Sequence, residues 1–191
     1  MNTDSQLIND IQKNKEYWLG QFEGERVQTS FPGSNIDSTV VKKEFGNYNF
    51  VFSKELNDLI NKIAGDSDQK LHIVLMAGLT GLLHKYLLQN EITIITPIDK
   101  QDAEAQFINT EIMLKNEYTG NMTFKDIILQ TRDLLFKAIE HQNYPLNAIL
   151  KDCKLQIEED RNPFTDVALM MENLHNRLYI NNKRNNITCI M

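Results

Sequence analysis

Cysteine, long apolar runs and clustered positive charge are all scarce in this sequence of 191 residues. Its two cysteines, Cys153 and Cys189, lack the CxxC spacing of metal and redox sites, so reduced thiols are expected. No stretch approaches the roughly 18 consecutive apolar residues that mark a membrane-spanning helix. The polar, acidic start at Met1–Asp10 is unlike a secretory signal. These absences predict a soluble, cytoplasmic protein with no membrane partner.

The charge balance argues against nucleic acid as a partner. Lys and Arg total 20 against 26 Asp and Glu, a formal net charge of −6. Phosphate binding requires a clustered cationic surface, and the only basic cluster is Lys183–Arg184 with Arg177 nearby. Hydrophobic residues make up 41% and charged residues 24%, as in ordinary globular proteins, which excludes disorder for most of the chain.

The common catalytic and metal-binding patterns are also missing. There is no GxSxG, Walker A or GxGxxG pattern, and Cys153 has no aligned base, so we predict no catalytic residue. No histidine has a second ligand at HExxH spacing, so no metal site is expected; the four are His72, His84, His141 and His175. His141 stands at a predicted helix end, where either a structural or a substrate-binding function fits.

Hydrophobic periodicity predicts helices interleaved with strands, hence an α/β or α+β layered fold. The predicted helices are Ser5–Phe22, the segment from the Ser53 cap to Gly65, Leu71–Leu88, the segment from the Thr123–Asp126 capping pair to about Gln142, and a short one from Pro145 to about Cys153. The predicted strands are one within Thr39–Phe52, Glu91–Pro97, Phe107–Asn116, Phe164–Leu174, Leu178–Ile180 and Ile187–Ile190.

Two glycines interrupt the apolar helix Leu71–Leu88. Gly78 and Gly81 each cost about 1 kcal/mol relative to Ala in a helix interior. The expected compensation is the close approach of a neighbouring element at these positions.

Three segments, taken in order, resemble motifs of the condensation domains of nonribosomal peptide synthetases. Gln106–Thr110 (QFINT) resembles FVNT, His141–Leu146 (HQNYPL) resembles HQD(Y/L)PFE, and Asp160–Phe164 (DRNPF) resembles the end of RDxSRNPLF. Tyr17–Leu19 matches the family's (Y/F)W opening, and Leu83–Tyr86 matches LLHRY. The order and spacing of these motifs make the resemblance specific over about Tyr17 to Asn173.

The resemblance implies one lobe of a chloramphenicol-acetyltransferase-like fold, with a mixed sheet packed by helices. Residues 1–33 would form an N-terminal helix and linker, and residues 34–191 a C-terminal condensation-like lobe, incomplete at its C-terminal end. Such domains join acyl and aminoacyl groups carried on the phosphopantetheine arms of peptidyl carrier proteins, with no bound cofactor of their own. The implied partners are those carrier proteins and the N-terminal lobe, which carries the HHxxxDG motif. No two histidines are adjacent in this chain, so the isolated chain is expected to be inactive. A lobe without its partner lobe should expose apolar surface, so the chain is also expected to self-associate.

The matched motifs nominate candidate site residues. Substrate-channel residues would be Asn109, Thr110, His141, Gln142 and Tyr144, and residues of a structural motif would be Arg161, Asn162 and Pro163. For Asn109, binding of a pantetheine amide and satisfaction of a backbone group remain equal alternatives. Asn143 and Leu146–Asn147 depart from the family's Asp and Phe-Glu. Two further functions therefore stay open: a non-catalytic carrier-protein or synthetase interaction module, and a fragment of a coenzyme A-dependent acyltransferase of the same fold.

Overall fold

The computed structural model of the chain describes residues 2–22, 28–31, 48–98, 109, 111–153, 162–175 and 187–190. Five helices and four strands lie in these ranges: α1 (Asn2–Phe22), α2 (Lys54–Ala64), α3 (Asp68–Leu87), β1 (Glu91–Pro97), β2 (Glu111–Glu117), α4 (Phe124–Glu140), α5 (Leu146–Asp152), β3 (Val167–Met170) and β4 (Ile187–Ile190). The strand predicted at 178–180 lies outside the described residues. So does most of the one predicted within 39–52, whose residues 48–52 are not strand.

The strands form one mixed sheet in the order β2-β1-β3-β4. β1 and β2 are antiparallel, with a register that runs from Glu91 opposite Glu117 to Pro97 opposite Glu111. β3 lies parallel to both β1 and β4. The predicted α/β fold, a mixed sheet packed by helices, is therefore confirmed.

The interior position of β1 follows from its sequence. Its run of β-branched residues buries every position from Ile92 to Pro97, as expected of a strand covered on both faces. β2 is also buried on both faces, since Ile112, Met113 and Leu114 are all inaccessible. Thr96, a buried polar residue near the end of β1, has its hydroxyl 3.1 Å from Nε2 of the buried His72 on α3.

The helix ends match the predicted capping chemistry. The Ser53 hydroxyl accepts the backbone N–H of Leu56 at 3.3 Å. At α4, Thr123 and Asp126 form a reciprocal capping box. Gly65 ends α2 with a φ of 61°, a conformation that favours glycine.

The reason predicted for the two glycines of α3 is wrong. Among the described residues, a Cβ atom at Gly78 would meet nothing within 4 Å, and one at Gly81 would meet only the Ile127 Cδ1 atom at 3.8 Å, an ordinary contact. Gly78 is exposed, as are Leu82 and Tyr86 on the same helix. α3 is thus buried along most of its surface but keeps one open side, where glycine is not required by packing.

The end of α1 belongs to the same core as the rest of the described chain. Trp18 and Phe22 are 2% and 3% exposed and pack with residues of α3, α5 and the sheet. The division of the chain at residue 33/34 stays a prediction, because residues 32–47 lie outside the described part.

Candidate functional site

Asn109 connects the start of β2 to the turn between α4 and α5. Its Nδ2 atom donates to the carbonyl oxygens of Gln142 at 2.5 Å and Tyr144 at 2.8 Å. Its Oδ1 atom accepts a hydrogen bond of 2.9 Å from the backbone N–H of Leu146, the first residue of α5. Pro145, the residue that precedes α5, gives no side-chain cap of its own, so Asn109 caps this helix from a distant part of the chain. Two of the three sequence motifs are thereby joined through one amide group.

These bonds match one of the two alternatives for Asn109, the satisfaction of backbone groups. The groups belong to the turn at 142–146 instead of to a sheet edge. Binding of a substrate amide by Asn109 stays a prediction, and Thr110 lies outside the described residues.

His141 forms the contact between the turn and α1. Its Nδ1 atom lies 2.8 Å from Oδ1 of Asn14, which, as a carbonyl oxygen, accepts the imidazole N–H. The ring stacks on Tyr17 with centroids 4.2 Å apart and an interplanar angle of 17°. The indole N–H of Trp18 donates to the His141 carbonyl oxygen at 2.8 Å. Three consecutive contacts from one face of α1 therefore hold this histidine in place.

The surroundings of His141 favour its neutral form. Burial and the nearby Lys13 ammonium lower the pKa of His141, and the Glu140 carboxylate opposes them. Burial, with a further contribution from Glu140, raises the pKa of the stacked Tyr17 to about 12. The pair therefore stays uncharged at neutral pH.

Tyr144 and α1 share one acidic partner on α5. The Tyr144 hydroxyl donates to Oδ2 of Asp152 at 2.6 Å, and Lys15 lies 3.1 Å from the same oxygen. These two donors lower the pKa of Asp152, the Tyr144 hydrogen bond being the larger cause. Burial, followed by the contact with Asp152, raises the pKa of Tyr144 to about 12. The hydroxyl predicted for the substrate channel is thus engaged within the chain.

Gln142 differs from its neighbours in the turn. Its backbone carbonyl accepts from Asn109, whereas its half-buried side chain makes no hydrogen bond to any of the described residues. Of the candidate channel residues that the structure describes, Gln142 is the one with a side-chain amide not engaged by the described chain.

The third motif forms a turn that leads into β3. Oδ1 of Asn162 accepts the backbone N–H of Phe164 at 2.9 Å, across Pro163, an Asx turn. Gln28 donates to the Asn162 carbonyl oxygen at 3.0 Å. This geometry is of the structural kind predicted for Asn162 and Pro163, while Arg161 lies outside the described residues.

Sequence reasoning missed the partners of these motifs. Asn14, Lys15 and Asp152 were not among the candidate residues, although they hold His141 and Tyr144. A signal existed for Asn14: it lies four residues before Trp18 and eight before Phe22, a polar residue on the apolar face of α1.

Metal-binding clusters and membrane-spanning helices are both absent from the described ranges. There, no three His, Cys, Asp or Glu side chains lie close enough together to hold a metal ion. Nor does any helix of these ranges have the length and apolar character to span a bilayer.

Comparison with known proteins identifies the family. The family model of the Condensation domain matches residues 2–188, so this chain belongs to the condensation-domain family. It is 30% identical over 182 residues to gramicidin S synthase 2 of Aneurinibacillus migulanus and 27% identical over 170 residues to bacitracin synthase 3 of Bacillus licheniformis. These alignments cover 89% and 86% of this chain but only 4% and 3% of the two synthases. The family resemblance deduced from the motifs is confirmed.

Solved structures agree on the fold. The chain superposes on the X-domain in its complex with OxyB from teicoplanin biosynthesis with a TM-score of 0.70 at 16% identity, which covers 85% of this chain and 37% of that one. For a starter condensation domain of rhizomide synthetase, the TM-score is 0.65 at 12% identity, with 88% and 37% covered. The chain thus spans little more than a third of either structure.

Proposed function

We propose that this chain is the C-terminal half of a nonribosomal peptide synthetase condensation domain, one lobe of a chloramphenicol-acetyltransferase-like fold. The observation that carries the proposal is the match to the condensation-domain family over residues 2–188 in a chain without two adjacent histidines. HHxxxDG must then come from an N-terminal lobe on another polypeptide or chain segment. The cytoplasmic location predicted from the sequence is part of this proposal.

The proposed reaction forms an amide bond. The amine of an aminoacyl group on one peptidyl carrier protein attacks the thioester of an acyl group on another, and the pantetheine thiol of the second carrier leaves. Both phosphopantetheine arms enter as tethered substrates and not as resident cofactors. This lobe supplies the channel wall and a carrier-docking surface, and the N-terminal lobe supplies the histidine that assists the amine.

The hydrogen bonds of the turn divide its residues by function. Asn109, His141 and Tyr144 bind partners within the chain and act as positioning residues that fix the turn at 142–146. The Gln142 side chain, which has no such partner among the described residues, is proposed to bind a substrate amide. Thr110 is proposed to lie in the same channel.

Reconstitution tests this proposal. The purified chain is mixed with a separately produced HHxxxDG-bearing lobe and two loaded carrier proteins, and product is measured by mass spectrometry. We expect no product from the chain alone and amide product from the mixture. Gln142→Ala should lower kcat without changing the melting temperature, and Asn143→Ala, an exposed neighbour in the same turn, is the matched control. Turnover by the chain alone would contradict the half-domain proposal.

A non-catalytic interaction module is the second candidate. It is favoured by the internal engagement of the Asn109, His141 and Tyr144 side chains, and by the departures from the family motif at Asn143 and Leu146–Asn147. This candidate predicts binding to carrier proteins but no turnover with any N-terminal lobe. Coenzyme A binding, measured by calorimetry, would instead support a coenzyme A-dependent acyltransferase fragment.

A further inference from the structure

An apolar stripe on α2 faces away from the core. Leu56, Leu59 and Ile63 are 43%, 58% and 54% exposed. They follow the i, i+3, i+7 spacing that places residues along one side of a helix. The segment that leads into the helix adds Tyr48, Phe50 and Val51, which are 88%, 57% and 95% exposed. We call the three α2 residues the α2 stripe.

The α2 stripe is exposed although the helix is docked. The side of α2 next to the stripe holds Ala64, which is 1% exposed, and Ile60, which packs against the core. Helix α2 contacts α3. The exposure of the α2 stripe is therefore not explained by an undocked helix. Exposed apolar residues on a docked helix are typical of a protein interaction surface.

Two opposite charges lie along one edge of the α2 stripe in a self-complementary arrangement. At 100° per residue, Glu55 and Lys62 lie on the same edge of the stripe, on the side away from Ile60 and Ala64. They are seven residues apart, with Leu59 between them. If two copies of the helix pair antiparallel about a two-fold axis near Leu59, each Glu55 lies beside the Lys62 of the other copy.

We propose that the α2 stripe is the dimerisation surface of this protein and that its occupant is α2 of a second copy, packed antiparallel. In this arrangement Leu59 packs on its own counterpart, and Leu56 packs on Ile63 of the other copy. Two Glu55–Lys62 pairs fix the antiparallel orientation, because in a parallel two-fold pair the charged edges of the two copies lie on opposite sides of the interface and these charges do not meet. The proposal does not depend on the proposed function.

The size of this surface sets the expected affinity. Three apolar side chains per copy from an 11-residue helix, even with Tyr48, Phe50 and Val51 added, make an interface at the small end of specific ones. We therefore expect a reversible dimer, visible as a concentration-dependent sedimentation coefficient. A permanent dimer would need a larger contact.

A charge exchange gives the decisive experiment. Sedimentation velocity over a concentration series is run for the full chain, Glu55→Lys, Lys62→Glu, and a mixture of the two variants. Each variant alone should dimerise more weakly, by about three- to tenfold in Kd at low salt, because two attractive pairs become two repulsive ones. The mixture should restore dimers to the parent level, since every pair is again of opposite charge. Failure of the mixture to exceed either variant would overturn the proposal.

The apolar contact is tested separately. Leu59→Asp should raise Kd at least about tenfold, since the change occurs twice in each dimer. Leu82→Asp, on the exposed side of α3, is the matched control and should leave Kd unchanged; Leu82 is 50% exposed. Thermal melts at low concentration verify that each variant folds. The proposal would be overturned if the parent chain stayed monomeric at all concentrations or if the two aspartate variants had equal effects. It would also be overturned if Leu59→Asp kept the parent Kd for dimerisation and lost only binding to an N-terminal lobe.

Discussion

Two regions of the molecule differ in whether their side chains have partners within the chain. One is the junction of α1 with α5, and the other is the outward surface of α2 and α3. At the junction, nearly every polar group has a partner: Asn14 binds His141, Trp18 binds the His141 carbonyl, and Tyr144 shares Asp152 with Lys15. On α2 and α3, the outward residues are apolar and open, among them Leu59 and Tyr86. Motif residues are thus concentrated where the chain binds itself. Most of the exposed apolar residues of α2 and α3 lie outside the family motifs. Tyr86 is the exception, because it is the last residue of the motif Leu83–Tyr86.

Among the substitutions that test this comparison, the largest loss of stability is expected at Trp18. Trp18→Ala removes a buried indole that stacks on Phe22 and donates to His141, so we expect a loss of about 3–5 kcal/mol in the free energy of unfolding. Urea denaturation followed by circular dichroism measures it. Leu82→Ala, at an exposed position of α3, is the control and should cost well under 1 kcal/mol. Equal losses would remove the contrast between the two regions.

Asn109 is expected to follow. Asn109→Ala leaves the Leu146 N–H and the carbonyls of Gln142 and Tyr144 without their partner, a loss of about 2–3 kcal/mol.

Asn109→Asp distinguishes the donor atoms from the acceptor. It keeps the acceptor for Leu146 but sets a carboxylate against two carbonyl oxygens, which raises the pKa of the new carboxyl group in the folded state. Relative to Asn109→Ala, its stability should be highest at acidic pH and fall as pH rises through that raised pKa. Melting temperatures between pH 4 and pH 7 test this expectation, and identical pH profiles for the two variants would contradict it.

A smaller, pH-dependent effect is expected at Tyr144. The pKa of Asp152 is lowered chiefly by the Tyr144 hydrogen bond, so this contribution to stability is present above the ordinary aspartate pKa of about 3.9 and is lost as pH falls through the lowered value. Tyr144→Phe should lower the melting temperature at pH 6, and the difference from the parent should narrow on acidification. NMR titration should show a higher pKa for Asp152 in the variant; an unchanged pKa would contradict the assignment.

The smallest effect is expected on the open side of α3. Gly78→Ala adds a methyl group that no atom of the described part of the chain approaches within 4 Å, so it should stabilise the protein by about 1 kcal/mol through helix propensity. Gly65→Ala is the matched control: its site is equally open, but its φ of 61° strains any residue with a Cβ, so it should destabilise. Calorimetric melts compare the two. A loss of stability at Gly78 would mean that a partner approaches α3 there.

Much of the local structure could be predicted because its causes are local. The capping box at Thr123, the end of α2 at Gly65 and the buried run of β1 depend on residues within one turn or one strand. The order β2-β1-β3-β4 depends on contacts between distant segments, which periodicity does not contain. For the same reason, the glycines of α3 were given a packing explanation that the structure contradicts.

The candidate site shows the same limit. The family resemblance nominated Asn109, His141 and Tyr144 as substrate-channel residues, and a hydrogen bond at the turn joins Asn109 to the Tyr144 carbonyl oxygen. The contacts of α1 with this site could not be assigned from sequence, because Asn14 and Lys15 lie more than 120 residues away along the chain from their partners, His141 and Asp152. A polar residue on the apolar side of α1 was the available clue.

By itself, the sequence determined the family, the five helices with their caps, four of the six predicted strands, and the absence of an HHxxxDG motif, since these depend on residue identity and short-range spacing. Only the tertiary structure decided which polar groups are engaged within the chain and which apolar residues stay open. The physical reason is that a hydrogen bond or a buried surface belongs to two segments at once, and only folding brings the second segment into place.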